Sequence, residues 1–142
     1  MSISISRRLV FSAGHRVYGH EGGCKHPHGH NYVVTLLARG PLDGIGRVID
    51  FGVLKHVVGG WIDDTWDHAF LFWKDDIEML RVYREHPEWK HAILPENPTA
   101  ENMARLLLEV SNKLLAESGV MVECVRIEET ENCYAECHLL RQ

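Results

Sequence analysis

The sequence predicts an α+β fold, a four-stranded antiparallel sheet with helices on one face, in the order β-β-α-α-β-β. Three observations carry this. Residues 2–12 alternate at the two-residue period of a half-buried strand, residues 50–115 change to the three-and-four spacing of helical faces, and residues 120–140 return to strand-like patterning. Strands, then helices, then strands again, without regular βα alternation, build an antiparallel sheet backed by helices. The 142 residues are 45% hydrophobic, enough for a core without disulfide staples, so residues 1–142 are read as a single domain.

Each element has its own signal. Ile3 and Ile5 alternate with serines, and this first strand is expected to end near His15. From Gly14 to Gly29 five glycines and a proline are interspersed with histidines, too broken for helix or ladder, so a long functional loop is expected. His30 to Arg39 is rich in β-branched and aromatic residues and reads as the second strand, closed by the turn-like Gly40-Pro41-Leu42-Asp43-Gly44. Asp50 is a candidate N-cap for a helix whose face is Leu54, Val57, Val58, Trp61 and Ile62, interrupted by Gly59-Gly60. A shorter helix covers Asp75 to Glu85 before Pro87. The strongest helix follows Pro98, with Thr99 as N-cap, Glu101 complementing the helix dipole, and Met103, Leu107, Val110 and Leu114 along one face until Gly119. Val120–Glu128 and Cys133–Leu140 read as two strands joined by a polar connection, Glu129 to Asn132.

Composition narrows the function classes. Fifteen Lys and Arg against twenty Asp and Glu leave a net charge of −5, and no concentrated basic run suits a nucleic-acid partner. No apolar run approaches the roughly 18 to 20 residues of a membrane span, and no secretory leader is legible, so no membrane partner and a cytoplasmic location are expected. Cys24, Cys124, Cys133 and Cys137 are accordingly read as reduced thiols.

The chemistry concentrates in the histidines, ten in all, five of them between His15 and His30. In a strand His28 and His30 point to the same side, roughly 7 Å apart along the chain, and Gly29 between them lets metal or substrate approach the backbone. If the first two strands form a hairpin, His15 lies across from this pair. Imidazole suits Zn²⁺, and three histidines leave the open position of a catalytic zinc site. Cys24 is either a fourth ligand that closes a structural site or a thiolate base beside it; the residues alone leave both open. Asp67-His68 offers an acid–base couple, and Glu129 a carboxylate for an amino-heterocycle. Cys133 and Cys137 are read as core or interface thiols rather than a metal pair.

Phe11-Ser12-Ala13-Gly14-His15, Cys24-Lys25-His26-Pro27-His28-Gly29-His30-Asn31, Val48-Ile49-Asp50-Phe51, Asp67-His68, Asn97-Pro98-Thr99-Ala100-Glu101-Asn102 and Glu129-Thr130 together resemble the 6-pyruvoyl tetrahydropterin synthase family, in order and over nearly the whole chain. Cys24, four residues before His28, resembles the bacterial 6-carboxy-tetrahydropterin synthases of queuosine biosynthesis more than the pyruvoyl-forming branch. The longer segment Phe72 to Leu94 and Lys25-His26-Pro27 depart from the family pattern.

The resemblance implies the tunnelling fold, with three subunits closing a barrel and two trimers stacking into a homohexamer. It implies His15, His28 and His30 as zinc ligands, Cys24, Asp67 and His68 as catalytic residues, and Glu129 and Thr99 as substrate-binding. The implied reaction is zinc-dependent conversion of 7,8-dihydroneopterin triphosphate to 6-carboxy-5,6,7,8-tetrahydropterin with loss of acetaldehyde and triphosphate. The alternatives are a pyruvoyl product, or a noncatalytic zinc module with Cys24 as fourth ligand.

Overall fold

Alternation along the N-terminus produces a strand longer than the serine–isoleucine repeat that signals it. In the computed structural model, which describes residues 1–140, β1 runs Ser4–His15 and pairs antiparallel over its whole length with β2, His28–Arg39. Leu9, Phe11, Ala13 and His15 on β1, and Tyr32, Val34, Leu36 and Ala38 on β2, are buried at every second position, the pleat turning one set of side chains toward the helices. β5 (Met121–Thr130) adds antiparallel to β2, and β6 (Cys133–His138) antiparallel to β5.

Four antiparallel strands were expected, and the sheet has six. The order is β4-β3-β1-β2-β5-β6, with β3 (Phe70–Trp73) parallel to β1 and β4 (His91–Leu94) parallel to β3. β4 lies at the end of the long segment that departs from the family pattern, and β3 straddles its start. Each has only four residues, too few to show a period, and the first is the unbroken apolar run Phe-Leu-Phe-Trp, equally readable as buried helix. β3 meets β1 only at Gly14 and His15, and glycine is required there: a Cβ on Gly14 would fall 2.7 Å from a Phe70 ring carbon.

The first helical segment is α1 (Phe51–Leu54), a π-turn (Lys55–Gly59) and α2 (Gly60–Thr65) in unbroken succession, started by Asp50, whose side chain accepts from the Gly52 amide. The wider turn ends at the Gly59-Gly60 pair, and the helix continues through it. Leu54, Val58 and Ile62 are its buried face, with Val57 and Trp61 only partly covered.

α3 (Ile77–Glu85), capped by Asp76, begins two residues later than the sequence suggests, and none of its residues is fully buried. Charge fastens its start, where Arg16, just beyond β1, donates from Nε and Nη2 to the two Asp76 oxygens and from Nη1 to Glu78 at 3.1 Å, and Tyr83 stacks on Phe70 and Phe72 of β3. α4 (Ala100–Leu114) packs across β5 and β6 through Met103, Ala104, Leu107, Leu108 and Ser111. The sequence-based face is rotated here, for Leu114 is exposed and Val110 only half-buried. The last two strands also differ from expectation, since β5 continues through Glu129 to Thr130 and only Glu131 and Asn132 form the turn.

Candidate active site and metal centre

His15 and His28 face each other as cross-strand partners, and His30 follows two residues on along β2, so pleat and pairing send three imidazoles to one point. Their ligand-capable nitrogens all lie within 4.8 Å of one another. His15 Nδ1 bonds the Pro98 carbonyl at 2.7 Å and His28 Nδ1 bonds the His26 carbonyl at 2.7 Å. A carbonyl only accepts, so both Nδ1 atoms carry the proton and both Nε2 atoms present lone pairs, 3.0 Å apart. Among the described residues His30 Nε2 is buried and has no hydrogen-bond partner. Converging acceptors and an orphaned nitrogen are what a cation satisfies, and zinc bound at about 2.0–2.1 Å to imidazole fits this donor set.

Burial has electrostatic consequences. His15, 1% exposed, is pushed down to about 4 chiefly by burial, with the neighbouring His28 and His30 rings adding to the effect and the Pro98 carbonyl opposing it. His30 is lowered by burial, against the pull of Glu129. Tyr32, fully buried beneath the cluster with ring centres 5.8 Å and 5.4 Å from His15 and His30, is pushed upward by burial and by the Glu129 and Cys24 charges. It was not singled out from sequence, because its place on the pleat makes it look like any core aromatic.

The His15 shift makes a prediction for the metal-free protein. Its folded value lies below the unfolded 6.5, so the unfolded chain binds the extra proton first: stability is full above about pH 6.5 and is lost as pH falls toward about 4. The shift corresponds to about 3 kcal/mol. Chelator-treated protein unfolded thermally at pH 7 and pH 4.5 should lose most of that amount, and a His15→Gln variant should show a correspondingly flatter pH dependence; equal slopes would refute the assignment.

Asn97-Pro98-Thr99 explains how the loop is held. Asn97 bonds the Tyr18 backbone in both directions, accepting from its amide at 2.9 Å and donating to its carbonyl at 3.0 Å. Pro98 supplies the carbonyl for His15, and Thr99 caps α4 by accepting from the Asn102 amide at 3.2 Å. Cys24 sits in a short 3₁₀ turn, Gly23–Lys25, and the Val17 amide donates to its carbonyl at 2.8 Å. His15, Cys24, Thr99 and Glu129 thereby line one cleft of 350 Å³, joined by Glu101 and Tyr134. That volume lies within the range of small-molecule sites. Glu129 reaches the cleft as a strand residue, not as part of a turn. A Cβ on Gly29 would meet the Ala13 carbonyl at 3.0 Å, so glycine there suits the close pairing of β1 and β2.

Asp67 and His68 are elsewhere. The Ser12 amide donates to Asp67 Oδ1 at 3.0 Å, the His68 amide donates to the Ser12 carbonyl at 2.7 Å, and His68 Nδ1 lies 2.7 Å from Asp67 Oδ2. Burial opposes ionisation of Asp67, but the Ser12 and His68 bonds hold its carboxyl below the usual carboxylate range. His68 takes a left-handed backbone, φ 57°, that aims its ring outward, 80% exposed. It lines a second cavity of 850 Å³ with Ser12, Gly29, His30 and Asn31, and the Ser12 and Asn31 side chains bond each other on the sheet face away from the core. A single chain brings together the three histidines, Cys24, Thr99 and Glu129, and leaves the Asp67–His68 couple apart.

The family model described as 6-pyruvoyl tetrahydropterin synthase matches residues 4–139, and the chain belongs to that family of tetrahydropterin synthases. Among solved structures, the Caenorhabditis elegans 6-pyruvoyl tetrahydropterin synthase superposes with a TM-score of 0.71 at 26% identity, covering 97% of this chain and 96% of the other. A Wolinella succinogenes protein of uncharacterised function shares the fold, with a TM-score of 0.85 at 23% identity over 97% and 98% of the two chains. More particularly, the 6-carboxy-5,6,7,8-tetrahydropterin synthases of Rickettsia bellii and Rickettsia felis are 38% and 39% identical to it over 136 residues, 94% of this chain and 99% of theirs. The protein of that name from Haemophilus influenzae is 30% identical over 93% and 96% of the two chains. Among the described residues no helix is long and apolar enough to cross a membrane.

Proposed function

We propose that the chain is a zinc-dependent synthase that converts 7,8-dihydroneopterin triphosphate to 6-carboxy-5,6,7,8-tetrahydropterin, releasing acetaldehyde and triphosphate and consuming a water. The observation that carries the reading is the convergence of three imidazole nitrogens within 4.8 Å of one another, one of the rings, His15, also lining the cleft that holds Cys24 and Glu129. His15, His28 and His30 are the zinc ligands in this reading, and their carbonyl partners keep two of the three in the binding tautomer. When bound, zinc supplies the Lewis acidity that makes carbons bearing hydroxyls acidic.

The remaining work belongs to side chains. The Cys24 thiolate removes a side-chain proton, and His68, oriented by Asp67, exchanges a second. Glu129 accepts hydrogen bonds from the pterin amino and ring N–H groups, and the Thr99 hydroxyl, its oxygen already bound to the helix, has its proton to donate at the cleft. Incubation with the dihydropterin triphosphate and mass spectrometry of the product test the reading. The carboxy product with acetaldehyde supports it, a pyruvoyl product replaces it with the sister reaction, and no turnover together with loss of zinc from Cys24→Ala leaves a noncatalytic zinc module.

Cys24 and His68 line different cavities of one chain, and in this reading a second copy completes the site. A homohexamer with trimeric cores meets this need and also pairs the edge strands β4 and β6 that the sheet leaves free. Sedimentation at micromolar concentration should give a hexamer; a monodisperse monomer with full activity would contradict the shared site.

A further inference from the structure

Among the described residues a second trio of metal-capable side chains converges away from the cleft: Cys124, Glu136 and His138, with ligand atoms all within 4.8 Å of one another. It is built as the histidine cluster is built. There, His15 and His28 are cross-strand partners and His30 lies two residues along from His28. Here, Cys124 and His138 are cross-strand partners on β5 and β6, and Glu136 lies two residues along from His138. Directly opposed residues and the i, i+2 neighbour share one face of a sheet, so either arrangement sends three side chains to one point. The faces are opposite: core residue Leu36 pairs with core residue Val125, whereas Cys124 pairs with Leu37.

The geometry points to a second metal site, in which the Cys124 thiolate, Glu136 carboxylate and His138 imidazole bind a zinc-like divalent cation and clip the terminal strand β6 to β5. Cys124 Sγ lies 3.6 Å from His138 Nε2, and that nitrogen lies 2.9 Å from Glu136 Oε2. Tetrahedral zinc, at about 2.3 Å from sulfur and about 2.0–2.1 Å from nitrogen, sets those two ligands about 3.6 Å apart. The carboxylate is already oriented. Arg126 holds its other oxygen, Oε1, through Nε at 2.8 Å and Nη2 at 2.6 Å, and is itself braced over the Tyr134 ring at 4.0 Å. An outer partner that fixes a ligand while leaving one of its oxygens to the cluster is the usual support of a metal site. Burial pushes the Cys124 thiol up, so binding releases its proton to solvent and the fourth position falls to water. Thiolate with imidazole selects zinc over magnesium or calcium.

Cobalt(II) reports the two clusters separately, since sulfur-to-cobalt charge transfer absorbs in the near ultraviolet and a three-imidazole site lacks it. Metal-free wild type should take up about two equivalents with that band present. Cys124→Ser and His138→Asn should each reduce uptake to about one and erase the band, whereas His28→Ala should reduce uptake and keep it. His138 is exposed, with 61% of its side chain in solvent, so its replacement does not threaten folding. Uptake and band unchanged in both Cys124→Ser and His138→Asn, or a band that disappears only in Cys24→Ser, overturns the site.

Discussion

Cys24→Ala is expected to lower turnover of the dihydropterin triphosphate by about 10²- to 10⁴-fold while zinc content stays at the wild-type level. That range is what positioned proton transfer contributes. The thiol sits on a short turn in the same cleft as His15 and Glu129, and the backbone of that turn is held by the Val17 amide, so removing one sulfur leaves the cleft walls intact. Metal analysis alongside steady-state kinetics separates base from ligand. Zinc lost with activity, together with a fall in thermal stability, would make Cys24 the fourth ligand of a structural site, because structural zinc contributes folding energy directly. Activity unchanged within a few-fold would remove Cys24 from the chemistry.

His28→Ala is expected to abolish stoichiometric zinc at the histidine cluster and turnover with it. Losses of outer partners alone typically cost 10- to 100-fold in metal affinity, so deletion of an inner ligand should exceed about 100-fold. His28 is the informative choice among the three, being only partly buried, whereas His15 is 1% exposed and its removal also disturbs packing. Its Nε2 is 3.0 Å from that of His15, and with both Nδ1 protons committed to carbonyls the two lone pairs oppose each other in the metal-free chain. Metal-free His28→Ala should therefore be no less stable than the metal-free parent. A variant that retains one zinc at this cluster, or a metal-free form that fails to fold, would count against the ligand assignment.

The four strands of the antiparallel half were legible from sequence because they are long enough to show a period. Serine–isoleucine alternation, the β-branched run after His30 and the valine-rich C-terminal stretch each outline an observed strand to within a few residues. His28 and His30 were legible as a pair for the same reason, since a two-residue spacing has a fixed meaning once its strand is known. Thr99 was legible as a cap because capping is a local interaction.

Tertiary structure decided the rest. β3 and β4 have no sequence signal of their own: four residues carry no period, and the contacts beside them, β3 on Gly14 and His15 and Arg16 on Asp76, span some sixty positions of chain. The tautomers of His15 and His28 are set by carbonyls of Pro98 and His26, and a carbonyl has no residue type by which a sequence could announce it. Asp67–His68 was readable as a couple, but its position on the sheet face away from Cys24 follows from the left-handed backbone of His68 and two bonds to Ser12. Local spacing determined which residues this protein can use; long-range pairing determined which of them meet, because convergence of side chains is a property of register and face, not of distance along the chain.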